Sequence, residues 1–261
     1  MTDFRWIRVS ADGPVGRLEL DRPERLNALS AEMLAELIAA ARWFDRQTQV
    51  KVVAVTAAGP SFTGGFDLSE LTDPDPEMPM REVADLGRAM SEAISSMRAV
   101  TVVGVQGHCV GGGIVLVASC DLRLAADTVR FSIPEVDLGI PLAWSGIPRL
   151  VREIGPALTK ELVLTCRTFD AAEAVAIHFV NRVVPEEELR FRVETLVSEL
   201  AAKSTLTLTA TKAHVNAVSE EMASTASGRR DGDVLASALG DPESSTVRSA
   251  YLRAHRSRRS R

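Results

Sequence analysis

Apolar positions recur along this chain with two periods, and the switches between them divide it into elements. Residues 4–20 read as two short strands around Asp12-Gly13, a hairpin turn signal. DRPERLNALS (21–30) is an irregular loop ending at Ser30, an N-cap residue, after which Leu34, Leu37, Ile38 and Ala41 fall at helical spacing. Val50–Thr56 is a β-branched run that stops at Gly59-Pro60, which predicts a buried strand and a turn. Residues 60–72 form a glycine-containing loop leading into a short helix. DPDPEMPM (73–80) holds three prolines and no period, so it is expected to be a mobile loop. Val83, Leu86, Met90, Ile94 and Met97 step by three or four, an amphipathic helix. The pattern then predicts a buried strand at Val100–Gln106, a loop at Gly107–Gly113, a buried helix at Ile114–Cys120 and a strand at Asp121–Ala126. Short strands are expected after residue 128, and helices from about Pro156 onward.

The alternation of strand and helix predicts a largely parallel α/β body with crossover helices. VVAVTAAG (52–59) and VVGVQGHCVG (102–111) are weakly alike, each a valine-rich strand running into a glycine-rich loop. That likeness suggests two equivalent turns of one coil. From about residue 195 the chain is helix-rich, and its Leu and Val faces call for a partner. The expected division is a core over 1–195 and a helical assembly region over 196–261.

Composition changes this picture little. The chain has 261 residues, 46% hydrophobic and 25% charged, ordinary for one large domain with or without a small extension. A net charge of −5 carries no nucleic-acid footprint. Arg253, Arg256, Arg258, Arg259 and Arg261 cluster at the end; they read as a solvated, frayed tail, with a phosphate- or lipid-binding tail as the other reading. Cys109, Cys120 and Cys166 show no paired spacing, which argues for a reducing compartment. The four histidines are scattered, so no metal site is expected. MTDFRWIRVSADG has no signal-peptide pattern, and no run of eighteen apolar residues occurs. A cytoplasmic protein off the membrane is expected.

Candidate chemistry sits in two glycine clusters and one carboxylate. Gly64-Gly65 follows one buried strand, and Gly111-Gly112-Gly113 follows another and opens a helix. Two readings fit. Free N–H groups could converge on one point as an oxyanion hole, or the glycines could serve tight helix–strand packing. Nucleotide signatures are absent: Leu116 breaks GxGxxG, and no P-loop occurs. GxSxG is absent too, which disfavours an α/β-hydrolase serine enzyme. Glu135 lies among Phe131, Ile133, Val136, Leu138 and Ile140. Either it is desolvated into a competent proton carrier, or it is a surface or ion-paired glutamate. Asp137 reads as structural, and Asp67 and Asp121 as loop-fixing or capping carboxylates.

Together these segments resemble the crotonase (enoyl-CoA hydratase/isomerase) superfamily. RPERLNAL (22–29), SFTGGFDLSEL (61–71), VTVVGVQGHCVGGGIVLVASCDLRLAAD (100–127), FSIPEVDLGI (131–140) and EAVAIHFVNRVVP (173–185) match its recurrent blocks in order. The resemblance implies an α/β spiral of ββα turns, a helical C-terminal region used in a homotrimer or homohexamer, and an acyl-CoA thioester substrate. Coenzyme A would arrive as part of that substrate, with no other cofactor. By position, Gly64 and Gly112 correspond to the oxyanion-hole donors. Arg25, Leu26 and Ala28, with Gly65, Phe66, Asp67 and Leu68, correspond to CoA contacts. Glu135 matches the second of the two hydratase glutamates. Val115 stands where the first would be, a pattern similar to the family's mitochondrial 3,2-enoyl-CoA isomerases. Family geometry places Leu142 to Trp144 near the acyl pocket. Trp144 is expected to line or cap that pocket, or else to sit in a subunit contact. Ala143 stands where dienoyl-CoA isomerases carry an essential aspartate. The resemblance therefore favours single-glutamate proton transfer, with a specialised hydratase or a non-catalytic acyl-CoA binder as rivals.

Overall fold

The first two strands are set by their turn. β1 (Ile7–Asp12) and β2 (Val15–Leu20) pair antiparallel with Asp12 opposite Val15, and Gly13 takes a φ of 53°. Glycine first in a two-residue loop gives a twist that suits the flanking strands. The computed structural model describes residues 4–73 and 75–259, with side chains as far as Ala254. The Ser30 hydroxyl caps α1 (Ala31–Arg46) by accepting from Met33 N at 3.2 Å. The predicted stripe of Leu34, Leu37, Ile38 and Ala41 is buried. β3 (Val52–Ala57), α2 (Leu68–Thr72), α3 (Met80–Ser96) and β4 (Val100–Val105) follow. The proline-rich loop before α3 includes residue 74, which lies outside the described residues.

β5 (His108–Val110), α4 (Gly112–Ala118), β6 (Leu122–Ala126) and β7 (Arg130–Ser132) form the next turns. Residues 107–113, expected to be a loop throughout, thus contain a strand. Three residues are too few to show a period, and β5 exists because of its neighbours. It pairs parallel with β7, and Thr63 N donates to His108 O at 3.0 Å. After α5 (Gly146–Thr165) come β8 (Phe169–Asp170), α6 (Ala171–Ala176) and β9 (Arg182–Val184). α5 starts well before the expected Pro156. Gly155, with φ 76° and ψ 165°, breaks it into two helical segments, and Pro156 then opens the second, where its missing N–H costs nothing.

The large sheet has the order β1-β2-β3-β4-β6-β9, and β5-β7-β8 form a second, smaller one. β2, β3, β4, β6 and β9 all run parallel. Each coil turn therefore lays one strand in the large sheet and the next in the small one, as β4 then β5, and β6 then β7. The weak repeat corresponds to adjacent turns, with Val52 opposite Val100 and Ala54 opposite Val102. α1, α3 and α4 cover one face of the large sheet; α7 (Leu189–Ala201) covers the other with Val193, Val197 and Ala201. The division expected after residue 195 falls inside α7, whose burial carries the sheet-facing layer on to Ala201.

Beyond it lie α8 (Thr205–Met222), α9 (Asp231–Gly240) and α10 (Pro242–Arg259). α8 buries none of its residues and exposes Leu206, Val215, Val218 and Met222. α10 stays helical to Arg259. The side chains of Arg256, Arg258 and Arg259, and all of Arg261, lie outside what is described, so the basic-tail expectation falls largely there. Among the described residues no helix is long and apolar enough to cross a membrane.

Phe131 on β7 stacks on Phe169 at 5.1 Å and meets Phe179 edge-on at 5.5 Å. All three rings are buried. Phe131→Ala should therefore cost about 3–5 kcal/mol. Urea unfolding should show a lower midpoint at unchanged slope.

Candidate active site

Two loops build the outer half of the site, and Asn27 ties them. Buried Asn27 accepts from Arg22 N at 2.8 Å and donates to Ala58 O at 2.8 Å and Ser61 O at 3.0 Å. Leu26 and Asn27 both take φ 51°, which turns the Leu26 carbonyl toward the second loop. Leu29 N then donates to Gly65 O at 2.8 Å, and Asp67 N to Leu29 O at 3.1 Å. The two segments expected to contact CoA are thus zipped side by side. Arg25 and Leu26 are exposed there, and Ala28 is half-buried. Asp67 is different. It caps α2 through Ser69 N at 3.1 Å and pairs with Arg22 at 2.8 Å, with its side chain only 8% exposed. Burial alone would raise its carboxyl, but the Ser69 and Arg22 hydrogen bonds outweigh it and hold it low. Asp67 fixes the loops and leaves no free carboxylate for a CoA contact. Asp121 likewise pins Thr101 N at 2.7 Å and pairs with Lys212 at 2.7 Å.

The Gly64 assignment needs correction. Its N–H donates to Leu26 O at 2.7 Å, so it is already engaged and cannot serve an oxyanion. Gly65 N is also occupied, by Thr63 Oγ1 at 3.1 Å. Gly65 is glycine for two other reasons: φ is 87°, and a side chain would run into the Val110 carbonyl. The next N–H, that of Phe66, finds no acceptor among the described residues, and neither does that of Gly112 at the first position of α4. Phe66, Gly112, Val115 and Glu135 line one cavity with Leu142, Ala143 and Trp144. The sequence marks Phe66 only as a CoA contact, because glycine is the usual sign of an open backbone.

Each residue of the triple glycine faces a different neighbour. A methyl group on Gly111 would overlap the Glu135 carboxylate; on Gly112, the Trp144 indole; on Gly113, the Thr63 side chain. The packing reading of these glycines therefore holds for all three. Glu135 is buried, beside Gly111, in the turn that follows β7; Ile140 N closes the turn onto Glu135 O at 3.0 Å. Burial pushes its carboxyl up to about 7, partly offset by its own backbone N–H. Its Oε2 has no hydrogen-bond partner among the described residues. The ion-paired or surface reading of Glu135 is thereby removed. Asp137, two residues on, is exposed. Val115 is fully buried on α4, and no second ionisable side chain lines the cavity. Cys109 is enclosed beneath the site, and burial pushes its thiol well up, so it is no nucleophile.

A larger cleft of about 1050 Å³ opens at the other end of α4, around Arg149, Asp121 and Lys212. None of the predicted site residues lines it, whereas Phe66, Gly112, Val115, Glu135, Leu142 and Trp144 line the smaller cavity.

Comparison with known proteins agrees with this geometry. Residues 11–252 match the family "Enoyl-CoA hydratase/isomerase". A probable enoyl-CoA hydratase of Mycobacterium bovis is 34% identical over 208 residues, covering 77% of this chain and 78% of the relative. A peroxisomal Delta(3,5)-Delta(2,4)-dienoyl-CoA isomerase of Arabidopsis thaliana is 33% identical over 220 residues. It spans 79% of this chain and 79% of its own length there. Among solved structures, an enoyl-CoA hydratase/isomerase from Pseudoalteromonas atlantica T6c superposes with a TM-score of 0.86 at 27% identity, over 96% of this chain and 98% of its own. A coil of strand turns around a buried glutamate, matched from residue 11 to residue 252, places this chain in the enoyl-CoA hydratase/isomerase family.

Proposed function

We propose that the chain moves a proton on an enoyl-CoA thioester with one carboxylate, in the manner of a 3,2-enoyl-CoA isomerase. The observation that carries this reading is that, among the described residues, Glu135 is the single ionisable side chain lining the cavity. Ionised Glu135 takes the α proton of a 3-enoyl thioester, and the electron pair moves into the thioester oxygen. The N–H groups of Phe66 and Gly112 hold that oxygen as the enolate forms. Glu135 then returns the proton at the γ carbon as the double bond settles between the α and β carbons. A carboxyl near 7 gives and takes a proton with little bias at neutral pH. The reading calls for no cofactor beyond the coenzyme A of the substrate. The unpaired cysteines suit the cytoplasm.

Hydration is the second reading, favoured by relatives named as hydratases, among them a crotonyl-CoA hydratase of Syntrophomonas wolfei. It would need water held by Glu135 and backbone groups alone. Dienoyl-CoA isomerisation fits less well, since Ala143 offers no second carboxylate. A pure acyl-CoA binder fits less well too, because Glu135 faces the cavity that Gly112 lines.

The exposed apolar face of α8 supports assembly into a trimer or a dimer of trimers. Sedimentation at micromolar concentration should give a mass of three or six chains; a monomer would remove the proposal.

Glu135→Gln should abolish deuterium uptake at the α carbon from heavy water while leaving acyl-CoA binding nearly intact. Undiminished exchange in that variant would sink the mechanism. Mass analysis after incubation with 2-enoyl- and 3-enoyl-CoA separates the two readings, since hydration adds one water and isomerisation adds nothing. The base must be ionised to act. kcat/KM should therefore fall as pH drops through about 7, and that limb should reflect Glu135.

A further inference from the structure

The Trp144 ring narrows the cavity that Glu135 and Gly112 line. It lies in the wall of the Glu135 cavity, 6% exposed, with Phe66 edge-on at 6.2 Å. Two glycines make room for it. A side chain on Gly87 of α3 would overlap the indole, as would one on Gly112 of α4. The ring is thus seated between two helices at the only points where both lack side chains against it. What space remains beside it is about 50 Å³.

The backbone beneath the ring is held from two sides. Trp144 and Ser145 take φ 62° and 55°, a left-handed pair that a bulky residue adopts only when its surroundings impose it. From α3, Ser91 Oγ donates to Trp144 O at 2.9 Å. From the C-terminal segment, Asp231 Oδ2 accepts from Ser145 N at 2.8 Å, and Thr225 O accepts from Ser145 Oγ at 3.2 Å. Gly228 packs so closely on Ser145 that a side chain there would overlap it. Moving the backbone that carries the indole would break these contacts together. The rest of the lining, including Leu71, Met80, Leu142 and Leu235, is apolar.

Resting on the acyl-CoA reading, we infer that Trp144 is a back wall that limits the substrate to short, apolar acyl groups. The length limit is a property of binding, so it can be tested without turnover. Saturated butyryl-, hexanoyl- and decanoyl-CoA, which cannot isomerise or hydrate, are titrated calorimetrically into the parent, Trp144→Ala and Trp144→Phe. The parent should bind butyryl-CoA at least tenfold more tightly than decanoyl-CoA. Trp144→Ala should reverse that order, and Trp144→Phe should fall between. Thermal melts identify a variant that fails to fold; the parent series and Trp144→Phe then decide. Equal binding of butyryl- and decanoyl-CoA by the parent overturns the wall, as does a folded Trp144→Ala that keeps the limit. A length limit without any turnover on enoyl-CoA supports the wall and removes the proton-transfer reading. No binding of any acyl-CoA removes both.

Discussion

Three side chains converge on the start of α4 only because Gly111, Gly112 and Gly113 bring no atoms of their own. This close approach is the constraint on which the site depends. Glu135 reaches the cavity past Gly111, and its burial there follows from that path. Trp144 closes the cavity over Gly112. Thr63 fits against Gly113, and its hydroxyl donates to Asn27 O at 2.7 Å, which ties the helix start to the loops outside. A single methyl group at any of the three positions would push one of these partners away. Packing density, and not only backbone freedom, explains the glycines.

The elements that position the helix are those whose residues show their period. α1, α3, β3 and β4 were legible because apolar stripes or β-branched runs extend over at least a turn or a strand. β5 was not, since it has three residues and takes its pairing from β7, which itself falls where short strands are expected after residue 128. The Glu135 neighbourhood was legible as an apolar segment holding one acid. The donor beside Gly112 was not. Gly64 and Phe66 differ in which N–H is spent on Leu26 or left over, and hydrogen-bond accounting of that kind exists only once the two loops are zipped. Trp144 was placed near the acyl pocket by resemblance alone. Its seat depends on Gly87, which lies far away in sequence on α3.

The C-terminal segment takes part in the same arrangement. Leu235 of α9 lines the cavity, Asp231 holds the Trp144 turn, and the Ser244 backbone of α10 packs so closely on Gly139 that a side chain there would overlap it. Gly139 closes the turn that starts at Glu135 and has φ 64°. Helices beyond the sheet thus brace the cavity from outside, while α8 keeps its apolar residues exposed. One part of the helical region serves the site of its own chain; the other, α8, is tied to the body through polar contacts such as Lys212 with Asp121, and leaves its apolar residues uncovered.

The cavity lining joins the proton carrier to the choice of reaction. Among the described residues the cavity that raises Glu135 to about 7 holds no second ionisable side chain. Adding water to a double bond requires that the water be held as well as activated. If the N–H groups of Phe66 and Gly112 are engaged by the thioester oxygen, a water beside Glu135 has the carboxylate as its one side-chain anchor. Shifting a double bond asks for less. On the proposed reading the same carboxylate accepts one proton and returns it, and the substrate supplies every atom. Val115 is fully buried and adds hydrocarbon to the cavity wall.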